Sequence, residues 1–245
     1  MKIKKIDDYQ SWYIESEDTA LIIDPWLDKV MQPKTNFFIN RAREENALIA
    51  DEMIDKVACI LISAPFEDHF HEKSLKRFDP STLVLTSKPS VKKLKKLGFT
   101  NIEVLKSGIQ KNIGDLEIKA HDAGFPYNYL WTFSFEIIQG GKVLYFESHV
   151  DKPSRIRQKG LKADCAILTT EEVKILGLLP LSNSSEATLK ILEELECKNI
   201  MIQGSDPSET KGLISYFLKI GEENLELFSN NGIKAFKEAG SEVTI

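Results

Sequence analysis

A layered α/β/β/α sandwich, in which two mixed β-sheets pack face to face between helical layers, is the fold class this sequence predicts. Three observations carry it. Short apolar, β-branched runs alternate with helical patterns in the first and last thirds of the chain. The middle third is almost wholly β-patterned. No repeat, low-complexity tract or Pro/Gly-rich linker interrupts the 245 residues, so 1–245 reads as a single domain.

The elements follow in order. "SWYIES" and "TALIIDPWL", joined by the polar "EDT", read as an opening antiparallel hairpin. "NRAREENALIADEMIDKV" predicts the first helix, with Ala47, Ile49, Met53, Ile54 and Val57 at roughly helical spacing. "ACILIS" is a continuous apolar run, as expected of a strand buried on both faces. A helix through "EKSLKRF" comes next, then a strand "TLVLTS", a helix "VKKLKKLG" closed by Gly98, and a strand "IEVLK". "QKNIGDLEIKAHDA", "YLWTFSFEIIQ" and "KVLYFES" are strands, the last two turned by Gly140 and Gly141. "CAILTT" and "NIMIQG" are strands again. "SSEATLKILEELE" and "SETKGLISYFLKI" are read as helices, with serines at the N-cap positions.

Composition narrows the function. The hydrophobic share of 42% and charged share of 28% are those of an ordinary soluble domain. A net charge of −5 gives a nucleic-acid role no electrostatic support. The lysine-rich "KPSVKKLKKLGF" is read as a solvated helix face. No apolar run reaches the ~18 residues a membrane span needs, and "MKIKKIDDYQ" lacks the apolar core of a signal peptide. Cys59, Cys165 and Cys197 are an odd, widely spaced set, read as buried thiols of a cytoplasmic protein. The oligomeric state is left open.

The chain has only four histidines, and "LISAPFEDHFHEKSL" places two of them, His69 and His71, beside Glu67 and Asp68 just past a buried strand. Imidazoles and a carboxylate suit zinc, with manganese or iron as alternatives, and three such ligands leave a catalytic ion an open position. Asp68 could equally be the N-cap of the helix that follows. His69 and His71 could be surface residues of its first turn, and His121 an ordinary strand-end residue. Gly140-Gly141 has no phosphate-loop pattern around it, and no Gly-x-Ser-x-Gly elbow occurs.

"LIIDPWL", the strand ending in "EDH", and "KVLYFESH" after a hairpin together resemble the metallo-β-lactamase superfamily, especially the branch containing ascorbate-6-phosphate lactonase and many cyanobacterial and plant proteins. The likeness runs from about Ile14 to the last helices and implies the same four-layer αββα fold. The family loop reads His-x-His-x-Asp-His, and those positions here are Ala64, Phe66, Asp68 and His69. The first metal site has thus lost two ligands. His121 lies near the expected mid-chain histidine. His149 or Ser148 stands where a bridging aspartate would be. Gly204 and Ser205 occupy the last histidine turn, with Asp206 the nearest donor.

The resemblance therefore implies a hydrolase of ester, lactone or phosphoester bonds on a small-molecule substrate, with at most one divalent transition metal, or none. The candidate metal ligands are Asp68, His69, His71, His121 and His149. Asp68 and Glu147 are the candidate catalytic residues. All four histidines are expected to converge on one mouth of the sandwich, built from loops 63–72, 121–128, 147–152 and 203–208. Asp24 is read mainly as a strand end beside a packed Trp26, and the resemblance adds that it supports the site loop. The stretch 28–46 is expected to lie over the site. The rival reading is a non-catalytic binding or scaffold protein that kept the fold after losing its metals.

Overall fold

Alternate side chains of each apolar strand go to different layers, which is how runs such as "ALII" and "CAILT" acquire two buried faces. The computed structural model describes residues 1–31, 37, 40–204 and 209–245. Its first seven-stranded sheet runs Glu242–Thr244, Lys2–Lys5, Trp12–Glu15, Ala20–Ile23, Val57–Leu61, Leu83–Thr86 and Ile102–Val104. Pairing is antiparallel as far as Ala20–Ile23 and parallel from there on. The second runs Lys234–Phe236, Asn199–Gln203, Cys165–Thr169, Lys142–Phe146, Phe133–Gln139, Leu116–Asp122 and Gln110–Ile113. Its first three pairings are parallel and the rest antiparallel.

Leu21, Ile23, Cys59 and Leu61 of the first sheet meet Phe135, Phe146, Cys165 and Ile167 of the second in one interlayer core. The alternate residues Ile22, Ile60 and Val84 pack outward on helical residues Ile54, Leu75 and Leu94. On the far side Ala166, Leu168 and Ile200 pack on Ile156, Ile191 and Leu195. This is the four-layer αββα sandwich the pattern predicts. Gly140 and Gly141, both at positive φ (56° and 84°), turn the hairpin with Gln139 opposite Lys142. Ser184 caps the helix Ser185–Leu195 by accepting the Ala187 N–H. The three cysteines are free and buried.

Two helix expectations are corrected. In residues 40–57 only Asp51–Asp55 is helical, and Asn40–Ala42 is instead a strand between Val30–Met31 and Glu209–Lys211. "NRAR" alternates with period two, and its arginines at 41 and 43 are buried. Ala47, Ile49 and Met53 still pack on the outer core. In residues 209–220 the chain forms Glu209–Lys211, a 3₁₀ turn Leu213–Phe217 and a strand Leu218–Ile220. Gly212 at φ 110° starts the 3₁₀ turn, and the Ser215 hydroxyl donates to Gly212 O at 2.7 Å, a local bond that competes with a regular helix. Ser208, the first residue of that expected helix, lies outside the described residues.

Candidate active site

The parallel strands of both sheets end at the same edge, where open α/β sheets bind ligands. Ala20–Ile23 delivers Asp24, Val57–Leu61 delivers the loop 62–71, and Lys142–Phe146 delivers Glu147, Ser148 and His149. Cys165–Thr169 ends at the edge in Thr169 itself, and Asn199–Gln203 ends there in Gln203. They enclose a cavity of about 600 Å³ lined by Tyr9, Arg41, Phe66, Asp68, His69 and His149, among others. Its outer wall is apolar, with Tyr127, Leu130, Ile175 and Leu179. Met31 and Arg41, from the stretch expected to cover the site, line it as well.

Asp24 is the buried anchor. Its backbone sits at φ 47°, a left-handed conformation that aspartate tolerates better than most residues. Oδ1 accepts the Ser63 N–H at 2.7 Å, and Oδ2 accepts the Ser63 hydroxyl at 2.5 Å. The same Oδ2 lies 2.7 Å from His69 Nδ1, so the imidazole donates Nδ1–H to it. Nε2 is left for the cavity, 3.9 Å from Asp68 Oδ1. Burial works against charge on His69, but Asp24 and Asp68 outweigh it and raise its pKa above the ordinary histidine value.

His149 stacks on His69, centroids 4.9 Å apart and planes 23° apart. Its Nδ1 bonds Ser148 Oγ at 2.8 Å, and Tyr127 covers its ring at 4.2 Å. Burial, together with the neighbouring His69, pushes its pKa well below the usual value, so the stacked pair carries at most one positive charge at neutral pH. Phe66 stands edge-on to both rings, 6.1 Å from His69 and 5.8 Å from His149.

Asp68 is held from three sides. Arg41 Nη1 forms an ion pair with Oδ2, the Tyr9 hydroxyl donates to the same oxygen at 3.1 Å, and Gln10 Nε2 donates to its backbone carbonyl. Burial would raise its pKa, yet His69 and Arg41 hold the carboxyl well below the ordinary range. It is not a helix cap: His71 caps Glu72–Leu75.

The remaining expected residues lie elsewhere. His71 Nδ1 accepts the Ser74 N–H at 3.3 Å and bonds Ser74 Oγ at 2.7 Å; its ring faces a separate cavity of about 650 Å³ beside Asp28 and Lys73. His121 alternates with core-facing Ala120, so it points to the helical side of its sheet and pairs with Glu136 at 2.8 Å. Glu147 is only 1% exposed and does not line the cavity. Its Oε1 accepts the His149 N–H at 3.1 Å, which makes it a positioning residue. The four histidines therefore do not share one mouth; two of them do. Ser205 and Asp206 lie outside the described residues.

This donor set does not fit the metal centre that the resemblance implies. Among the described residues no group of three or more His, Cys, Asp or Glu is gathered to hold an ion. Ala64 and Phe66 offer no donor, a guanidinium occupies Asp68, and His71 and His121 are committed elsewhere. The expectation of a single divalent ion has no donor set behind it among these residues.

The motifs did not single out Arg41, Tyr9, Ser63 or Tyr127. The two-residue alternation of "NRAR" is the one signal that could have put Arg41 on a strand.

Residues 3–202 match the family described as a beta-lactamase superfamily domain. Isothiocyanate hydrolase from Delia radicum gut bacteria superposes with a TM-score of 0.74 at 17% identity, over 100% of this chain and 99% of that one. A possible metal-dependent hydrolase from Veillonella parvula gives 0.72 at 11% identity, over 100% and 99%. CmlA, a diiron beta-hydroxylase from Streptomyces venezuelae, gives 0.71 at 13%, over 100% of this chain and 54% of its own. At these identities the likeness is one of fold. No curated protein matches the chain.

Proposed function

Because this chain belongs to the beta-lactamase superfamily domain family, we propose that it is a hydrolase, cleaving an ester, lactone or phosphoester bond of a small, largely apolar molecule. The lactone option rests on the resemblance of the chain to the branch that includes a lactonase. The apolar wall of Tyr127, Leu130, Ile175 and Leu179 would seat the body of the substrate. We take residues 1–245 as one domain, and the three buried free thiols support a cytoplasmic setting.

One observation carries the proposal: buried Asp24 holds His69 Nδ1 at 2.7 Å. A carboxylate there fixes the tautomer whose Nε2 accepts a proton, and it stabilises the imidazolium that forms. In this reading His69 removes a proton from a water molecule as that water attacks the carbonyl or phosphoryl centre. His69 then returns the proton to the leaving oxygen. Asp68, ion-paired with Arg41 and facing Nε2, steadies the protonated ring. His149 stacks on the imidazole and Phe66 stands edge-on to it.

The test is turnover of p-nitrophenyl esters, simple lactones and bis-p-nitrophenyl phosphate, with and without chelator, zinc or manganese. Chelator-resistant activity lost in His69→Ala supports the proposal. No turnover of any of them under any condition would favour the second reading, a non-catalytic binding protein. That reading is supported by Ala64 and Phe66, which stand at the positions of two family ligands.

A further inference from the structure

Arg41 comes from the short strand Asn40–Ala42, which belongs to neither large sheet, yet its side chain reaches the floor of the site. The residue is 9% exposed. Its Nη1 meets both Asp68 Oδ2 and the Tyr9 hydroxyl, the latter at 2.8 Å, and its guanidinium lies over the Tyr9 ring at 5.6 Å. Tyr9 is itself fixed, its N–H donating to Asp7 Oδ1 at 3.0 Å and its ring standing edge-on to Trp26. The cation is thus seated by a built support.

Asp68 and His69 are the two residues that keep the superfamily pattern, and a divalent ion on that pair would have to lie at Asp68. The space beside that carboxylate is filled by a guanidinium. We infer that Arg41 takes the place of an ion at this site: it neutralises Asp68 with a permanent, proton-independent charge, and it keeps divalent metals out. A dication brought against Asp68 would lose part of its attraction to the carboxylate and would meet a fixed positive charge a few ångströms away. The inference concerns ion occupancy and stands whether or not the chain turns over a substrate.

The experiment compares the full-length wild type, Arg41→Met, Arg41→Gln and the double variant Arg41→Met/His69→Ala. Each is equilibrated with zinc chloride at pH 7.5, desalted and measured by elemental analysis, with zinc isotherms by calorimetry and thermal melts to establish folding. Methionine keeps an unbranched side chain over Tyr9, and glutamine keeps a donor toward Asp68, so one of the two should fold if the other does not. We expect the wild type to retain well under ~0.2 equivalents, Arg41→Met or Arg41→Gln to take up zinc through the freed Asp68 carboxylate and His69 Nε2 with water completing the ion, and the double variant to lose that uptake. Stoichiometric zinc in the wild type overturns the inference. So does a folded Arg41→Met or Arg41→Gln that takes up none, since Arg41 would then not be what excludes the ion.

Discussion

Asp24 and His69 lie 45 positions apart and meet at 2.7 Å, both essentially excluded from solvent. The carboxylate is itself held by the Ser63 N–H and hydroxyl, so it fixes the orientation of the imidazole. Asp24→Asn keeps the shape and tolerates the positive φ, but an amide no longer stabilises the imidazolium. We expect the hydrolytic kcat to fall by roughly 10²–10⁴ with a smaller change in KM, the range for loss of general-base function. A thermal melt confirms that the variant is folded. Because His69 has a raised pKa, wild-type activity should climb over a range above pH 6.5, as the ring gives up its proton. A pH profile flat from 6 to 9 would rule out His69 as the base.

His71 gives an acid-side stability signature. Burial lowers its pKa to about 4 from 6.5. The unfolded chain therefore binds a proton that the folded chain refuses between those values. The stability tied to the neutral ring is fully present above pH 6.5 and is lost as pH falls toward 4. For a shift of this size the loss is on the order of 3 kcal/mol. His71→Asn retains an N-cap acceptor for Ser74. Urea unfolding at pH 7 and pH 4.5 should show a smaller drop for His71→Asn than for wild type; equal drops would mean that His71 is not the group responsible.

The strands were legible because burial on both faces leaves a continuous apolar signature, as in "ACILIS" and "CAILTT". The site was legible only where the sequence-local loop bends. His69 and Asp68 sit where the "EDH" motif puts them, and His149 follows its strand directly. His71 and His121 failed for local reasons that a motif does not carry: one starts a helix, and the other alternates with core-facing Ala120. Arg41 was hidden for a different reason. Its partners Tyr9 and Asp68 are 32 and 27 positions away, and "NRAREEN" has good intrinsic helix formers. Tertiary pairing of Asn40–Ala42 with the strands on either side overrides that preference. Asp24 was in view: the strand-end reading of "DPW" leaves out what its side chain accepts, and only the resemblance pointed to its hold on the site loop through Ser63 and His69.

Glu147 should give the opposite pH trend to His71. Burial first, and the nearby Asp151 second, push its pKa up to about 8 from 4.5. The folded chain then holds a proton that the unfolded chain releases, so stability falls as pH rises from 4.5 to 8. Oε2 has no hydrogen-bond partner among the described residues, consistent with a carboxyl kept neutral. Glu147→Gln keeps an acceptor for the His149 N–H and removes the ionisation. We expect it to melt higher than wild type at pH 8, by several degrees, and within about 2 °C of it at pH 5. A variant less stable than wild type at pH 8 would show that the ionised carboxylate is stabilising in this position.

The strand Asn40–Ala42, which brings Arg41 to the site and so forms a cap over it, is held just beyond its end. Arg43, two residues beyond Arg41, forms an ion pair with Asp7 in which the side chains are 1% and 0% exposed. Its guanidinium also lies 4.7 Å from the centre of the Trp26 ring and donates to the Trp26 carbonyl. Asp7 in turn organises the turn before Trp12–Glu15, accepting the N–H groups of Tyr9 at 3.0 Å and Ser11 at 2.9 Å. Removing the arginine leaves a buried carboxylate with backbone donors but without its ion-pair partner. We expect Arg43→Met to cost about 3–5 kcal/mol in urea unfolding at pH 7, the range for breaking one side of a buried pair. Asp7→Asn should recover part of that loss in the double variant, because an asparagine side chain still accepts from Tyr9 and Ser11 and carries no charge to bury. The coupling between the two changes, read from the double-mutant cycle, should exceed roughly 1.5 kcal/mol. Additive effects would mean that the pair does not anchor the cap, and that Arg41 is positioned by Tyr9 and Asp68 alone.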